Sequence, residues 1–217
     1  MWAVFVVMGI LAAPDSVPEP APETAEFRIA PYAKGGTLAW DRLGGVGGHK
    51  FAVSGGLTGR ARFRSLGTAI RLEKWWVSEG LDDDRGIIPE EGFRALADVR
   101  YFLGTRGGFS LYPYIGFGFE RWKKGGNWKR WRSLRFFTGS VGMGMEDAKG
   151  YLRVAVTRPF SASLQDGSAP RPRYGFSAQG GIRLAVFVVG LYYDYAGFED
   201  PDVKMIQSGL FVEYRFE

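Results

Sequence analysis

The chain contains no cysteine and a single histidine, His49. The first absence excludes a disulfide framework, an iron–sulfur cluster and a cysteine-rich zinc site. The second excludes a multi-histidine metal centre. Long apolar runs are scarce too. Met1 to Ala13, M-W-A-V-F-V-V-M-G-I-L-A-A, falls short of the ~20 residues a membrane-crossing helix needs, and no later stretch comes close. Helical periodicity is missing as well. The 32 glycines among 217 residues would each cost a helix interior about 1 kcal/mol relative to alanine. What remains is unusual for another reason: aromatics reach 16% and hydrophobic residues 46%. Such a chain buries enough apolar surface to fold, and its mixture of rings and glycines suits β structure with tight turns. Formal net charge is +5, with a pI near 9.4.

Three segments differ in character. Residues 1–13 match the apolar stretch of a secretory signal, although no Lys or Arg precedes them and Pro14 follows Ala13. They are read as a signal-peptide remnant. Residues 14–26 hold four prolines, in P-D-S-V-P-E-P-A-P-E-T-A, and read as an extended linker. Residues 27–217 form the folded body.

In that body the hydrophobic period is two, not 3.6. From Phe93 to Leu103 the odd positions are Phe, Ala, Ala, Val, Tyr and Leu, whereas the even ones include Arg94, Asp98 and Arg100. The same alternation runs through 109–120, 187–196 and 206–216. It predicts strands at 27–41, 49–63, 68–78, 92–103, 109–122, 131–145, 150–160, 173–184, 187–197 and 204–216. The first is interrupted by Pro31 and Gly35-Gly36, and the boundary near Ala185 lacks a turn residue. Ten strands are expected, or eight if such pairs merge. Connections alternate between short and long, as in an up-and-down meander with short periplasmic turns and longer external loops. The expected fold is therefore all-β, a single antiparallel transmembrane barrel.

That expectation depends on which face is apolar. A small soluble barrel points its apolar face inward, and a membrane barrel reverses it. Here the polar face is rich in Gly, Ser and Ala, which suits a narrow interior better than a watery exterior. Its charges nearly cancel, as a packed interior requires. They are Arg71, Arg94, Arg100, Arg153, Arg183 and Arg215 against Glu73, Asp98, Glu120, Asp194 and Glu213. These eleven are assigned to a lumen charge network. Arg60 and Arg62 add a basic excess that water or other acids must balance. Tyr112, Tyr114, Tyr192 and Phe211 are assigned to fill the lumen.

Aromatics concentrate toward strand ends. Trp75, Trp76, Trp122, Trp128, Trp131, Tyr193, Tyr214 and Phe216 are assigned to girdles at the two membrane–water interfaces. The segment Trp122 to Arg132, W-K-K-G-G-N-W-K-R-W-R, interleaves cations with tryptophans. On an external loop, Lys123, Lys124, Lys129, Arg130 and Arg132 would meet lipopolysaccharide phosphate rather than nucleic acid. Arg158 could join them.

These residues resemble small bacterial outer-membrane β-barrel proteins of the opacity-type and porin-like group. Leu111 to Phe119, L-Y-P-Y-I-G-F-G-F, is similar to their Pro-Tyr-x-Gly-x-Gly strand. Gly180 to Leu184, G-G-I-R-L, and Leu191 to Tyr195, L-Y-Y-D-Y, resemble their paired late strands. Val212 to Phe216, V-E-Y-R-F, resembles the closing strand. The resemblance implies that a terminal aromatic is read by the barrel-assembly machinery, and Glu217 departs from that pattern. It implies a fold and an outer-membrane location, but no reaction.

Catalytic signals are thin. His49 opens the second strand beside a long loop. The acidic run Asp82, Asp83 and Asp84, followed by Glu90 and Glu91, could hold a divalent cation or pair with His49, yet it reads more simply as a solvated loop. Gly44 to Gly48 lacks the Lys and Ser/Thr of a phosphate cradle. No catalytic residue, metal or cofactor is assigned. The leading expectation is a non-enzymatic barrel with a largely filled, ion-paired lumen, no large pore, and a structural or surface role through its loops. Two alternatives stay open: a lipid- or peptide-modifying enzyme of the outer membrane, and a soluble calycin-like ligand binder.

Overall fold

A computed structural model describes residues 25–41, 48–77, 90–104, 109–123, 133–164, 170–199 and 203–215. Ten long strands carry the fold. They are β1 Glu26–Asp41, β2 Gly48–Phe63, β3 Leu66–Val77, β4 Glu91–Tyr101, β5 Ser110–Lys123, β6 Ser133–Glu146, β7 Gly150–Leu164, β8 Gly175–Leu184, β9 Phe187–Glu199 and β10 Val203–Tyr214. Two-residue strand pieces, Leu103–Gly104 and Arg171–Pro172, extend the sheet beside β5 and β9. Every long strand is antiparallel to its sequence neighbours, and β1 pairs with β10 from Tyr32↔Glu213 to Asp41↔Lys204. That last pairing closes the sheet, so no long strand among the described residues keeps an open edge. The eight-strand alternative is thereby set aside.

The first strand is complete despite Pro31 and the glycine pair. Register continues through all three positions against β2, with Pro31↔Leu57, Gly35↔Val53 and Gly36↔Ala52. The boundary at Ala185 is also explained. Ala185 and Arg64 both adopt positive φ, 49° and 52°, and each opens a two-residue turn between paired strands. A left-handed turn backbone follows the right-handed twist of a hairpin. Glycine or asparagine usually supplies it, and here neither does.

The faces are sorted as a membrane barrel sorts them. Along β2 the odd residues Phe51, Val53, Leu57 and Phe63 are exposed, while Ala52 and Thr58 are buried. The same holds on β10, where Leu210, Val212 and Tyr214 face out and Gln207, Phe211 and Glu213 face in. Phe117 and Leu210 are 53% and 59% exposed, whereas Arg100 and Glu213 are only 8% and 2% exposed. A soluble barrel would invert these values. The outward middle belt is mainly aliphatic, with Leu57, Ile70, Leu72, Val99, Ile115, Val141, Val154, Val156, Leu191 and Leu210, and Phe117 and Tyr193 as rings among them. Rings concentrate at its two margins, with Phe63, Tyr101, Phe187 and Tyr214 at the short-turn end and Phe51, Trp76, Phe93, Phe137 and Phe160 at the long-loop end. From Phe51 to Phe63, about 40 Å of strand at a tilt near 45° spans roughly 28 Å of bilayer.

Inside, rings lie against neighbouring glycines. A side chain at Gly144 would meet the Tyr112 ring at 2.3 Å, and one at Gly142 would meet the Tyr114 ring at 2.4 Å. Pairing large with absent side chains lets a narrow barrel fill without voids.

Candidate functional site

The interior is layered. At the long-loop end an apolar plug closes it: Leu38, Ala52, Trp75, Trp122, Leu134, Phe136, Phe198 and Met205. Trp122, Phe136 and Phe198 pack edge to face, with ring centroids 4.9–5.9 Å apart. Apolar rings exclude water and offer an ion nothing to replace its hydration.

The next layer is ionic. Glu73 accepts from Lys34 Nζ at 2.8 Å, from the Tyr32 hydroxyl at 2.9 Å and from Ser54 Oγ at 2.8 Å. Lys34 also sits 4.8 Å from the Tyr192 ring centre. Arg94 bridges two acids: Nη1 donates to Asp194 Oδ2 at 2.9 Å, and Nη2 to Glu120 Oε2 at 3.2 Å. Trp122 Nε1 donates to the same Glu120 oxygen at 3.1 Å, tying plug to ions. Buried charges are tolerated in such an arrangement because each is both paired and hydrogen-bonded.

A third layer holds Asp98, which accepts from both Arg100 and Arg153. Their guanidiniums lie over the Tyr112 and Tyr114 rings at 5.4 Å and 4.8 Å. Arg71 donates to Gln179 Oε1 at 3.0 Å, and Gln179 Nε2 donates to the Tyr151 hydroxyl at 2.7 Å. Toward the short-turn rim, Arg60 meets Glu213 at 2.7 Å, Arg215 lies 3.9 Å from the same carboxylate, and Arg62 lies 3.8 Å from Glu146. Glu213 and Glu146 are the acids that Arg60 and Arg62 need.

The eleven residues assigned to the lumen thus all lie on the inner face. Nine take part in ion pairs, and Arg71 donates to Gln179 instead. Arg183 has no carboxylate partner among the described residues. Sequence reasoning passed over Lys34, Gln179, Ser54 and Tyr151. Lys34 shares parity with buried Tyr32, which was the available signal. The filling residues Tyr112, Tyr114, Tyr192 and Phe211 are buried inside the barrel.

The girdle assignment requires correction at two positions. Trp75 and Trp122 are 1% and 0% exposed and belong to the plug. Period two decides it: Trp75 shares parity with Glu73, and Trp122 with Glu120, both lumen-facing. Trp76 faces out at the long-loop end, Tyr193 faces out from the middle of β9 rather than its end, and Tyr214 faces out at the short-turn end. Trp128, Trp131 and Phe216 lie outside the described residues.

Of the five cations assigned to lipid phosphate, Lys123 is described, and it pairs with Glu91 at 2.7 Å. Lys124, Lys129, Arg130 and Arg132 lie outside the described residues, as do Asp82, Asp83 and Asp84, residues 1–24 and Glu217. The strands supply a second set of cations. Arg121 and Arg135 stand directly opposite each other on β5 and β6. Both face outward, one step beyond the Phe119–Phe137 contact of 5.2 Å. Neither has a carboxylate partner among the described residues. Arg158 also faces out, with its guanidinium 5.0 Å from the Tyr174 ring. His49 is exposed at the start of β2, and its side chain makes no hydrogen bond or ion pair among the described residues.

No family model and no curated protein matches the chain. Solved structures do. Neisserial surface protein A is 16% identical, with 89% of this chain and all of that one covered and a TM-score of 0.40. Ail, the attachment invasion locus protein of Yersinia pestis, is 15% identical, over 90% and 100%, with a TM-score of 0.39. An outer membrane channel from Pseudomonas putida F1 is 10% identical, over 94% and 98%, with a TM-score of 0.41. At such values the likeness assigns nothing to this chain. Its closed ten-strand architecture stands on its own strand pairing, as does the inversion that puts ions inside and apolar side chains outside.

Proposed function

We propose that the protein is an integral barrel of the bacterial outer membrane, without catalytic activity, that serves the envelope through its exterior and its long loops rather than as a wide pore. The observation that carries this reading is the plug. Trp75, Trp122 and Phe136, each no more than 2% exposed, occupy the lumen at the long-loop end, backed by the Glu73 and Arg94 ion layer. A solute would have to displace both. The short-turn end is periplasmic and the long-loop end external.

The outer rim fits a phosphorylated lipid. Arg121 and Arg135 place two guanidiniums side by side above an aromatic margin. Directly opposed like charges are unfavourable unless an anion bridges them, and guanidinium binds phosphate through paired donors. Lipopolysaccharide is the outer-leaflet lipid of that chemistry, and Lys123 to Arg132 would extend the same contact. The assembly machinery would insert the barrel through its closing strand.

The test uses purified full-length protein in planar bilayers made with and without lipopolysaccharide. A folded, insertion-competent chain is expected to show no sustained porin-sized conductance. Arg121→Gln combined with Arg135→Gln is expected to reduce co-purifying lipopolysaccharide at least severalfold while leaving the unboiled gel mobility unchanged. Steady conductance of porin size would contradict the reading.

A further inference from the structure

The ion pairs of the interior do not balance. Between the plug and the short-turn rim, the cations Lys34, Arg60, Arg62, Arg71, Arg94, Arg100, Arg153, Arg183 and Arg215 face the acids Glu73, Asp98, Glu120, Glu146, Asp194 and Glu213. The surplus is not spread evenly. Lys34, Arg94, Arg100 and Arg153 all have carboxylates within 3.3 Å. One of the three surplus charges lies deeper, where Arg71 has Gln179 rather than an acid as its partner among the described residues; the other two collect at the short-turn mouth, on the wall formed by β8, β9, β10, β1 and β2. There one carboxylate, Glu213, serves both Arg60 and Arg215. Arg183 on β8 lies one strand away from Glu213, both pairing with Val188 of β9; among the described residues it has no acid partner, and its buried Nε has no hydrogen-bond partner. Arg60 Nε is likewise buried and without a hydrogen-bond partner among the described residues. The cost is visible at Arg215, just past the end of β10: burial, then the neighbouring Arg183 and Arg60 guanidiniums, pull it down to about 10.

We propose that this mouth is an anion site, in which Arg60, Arg183 and Arg215 bind a phosphate dianion or phosphate monoester entering from the short-turn side. After Glu213 neutralises one of the three guanidiniums, two positive charges remain. A phosphate monoester near neutral pH carries close to two negative charges and three acceptor oxygens, which fits both the charge and the unused N–H donors. Guanidinium forks also favour a tetrahedral oxyanion over chloride. The cup is blind, since the plug closes the far end, so it binds rather than conducts. That the short-turn side is the periplasm rests on the outer-membrane reading, but the site itself does not.

The test titrates inorganic phosphate and, separately, glycerol phosphate into the folded full-length chain in detergent, with chloride holding ionic strength constant. Saturable binding of one anion per barrel and a rise in thermal midpoint absent with chloride are the expected results. Arg183→Gln is expected to weaken binding at least tenfold, and Arg183→Lys less, because it keeps the charge but loses the fork. Lys204→Gln, at the long-loop end of the outer face, is expected to change nothing. Preference for inorganic phosphate would indicate a free ion, and preference for the ester a phosphorylated envelope component. Neither ligand binding saturably, no midpoint rise on the unmodified chain, or a folded Arg183→Gln with unchanged affinity would overturn the proposal. A heat-dependent gel shift in the same samples tests the barrel independently of the site.

Discussion

Arg94→Met is expected to destabilise the barrel by about 3–5 kcal/mol. The side chain is 6% exposed and lies within 3.0 Å of both Glu120 and Asp194. Methionine fills much of its volume but leaves two carboxylates facing each other without a cation. Glu120 also holds Trp122, so the loss reaches the plug. The contrast is Arg28→Met. Arg28 pairs with Glu26 at 3.1 Å, but that pair is largely exposed, and an exposed pair contributes under ~1 kcal/mol. Urea unfolding in lipid vesicles, read by gel mobility, compares the two. Equal effects would mean that the interior ions are solvated and replaceable.

Leu210→Arg is expected to cost about 2–4 kcal/mol in a bilayer, the range for a basic side chain at the lipid-facing midplane. Leu210 is 59% exposed and stands opposite Gly35 on β1 and Leu191 on β9, so no nearby acid can pair with the new charge. On a watery surface the same exchange would stay within roughly 0.5 kcal/mol. Lys204→Arg, at the long-loop end of the same outer face, is expected to be close to neutral. The pair separates a lipid-facing belt from a solvated one by the same unfolding measurement.

Much of this architecture is legible in the sequence, because period two reports the inner and outer faces of a strand directly. All ten strands are predicted, most directly from the alternation at 93–103, 109–120, 187–196 and 206–216. β1 is read less securely, since Pro31, Gly35 and Gly36 usually interrupt a strand; in a closed barrel both neighbours hold it in register. Trp75 and Trp122 are misassigned when composition is weighed above parity: a tryptophan at a strand end suggests an interface, yet its neighbours Glu73 and Glu120 fix its face. Lys34 escapes for a related reason, lying in the strand whose pattern is most broken. What sequence does not carry is partnership across the lumen. Arg60 meets Glu213 from 153 residues away, and Arg94 meets Asp194 from 100. Which inward charges share a layer depends on barrel closure and strand stagger, and alternation along one strand says nothing about either. The mouth formed by Arg60, Arg183 and Arg215 is invisible for the same reason.

A chain without native cysteine lends itself to site-directed spin labelling. Single cysteines placed in turn from Met205 to Tyr214, each carrying a nitroxide, would be read in bilayers for collision with oxygen and with a water-soluble nickel chelate. Alternation with period two is expected, with labels at Ile206, Ser208, Leu210 and Val212 rich in oxygen and shielded from nickel, and those between them poor in oxygen. A label at Leu210 that meets neither reagent, beside one at Glu213 open to nickel, would contradict a barrel turned apolar side outward.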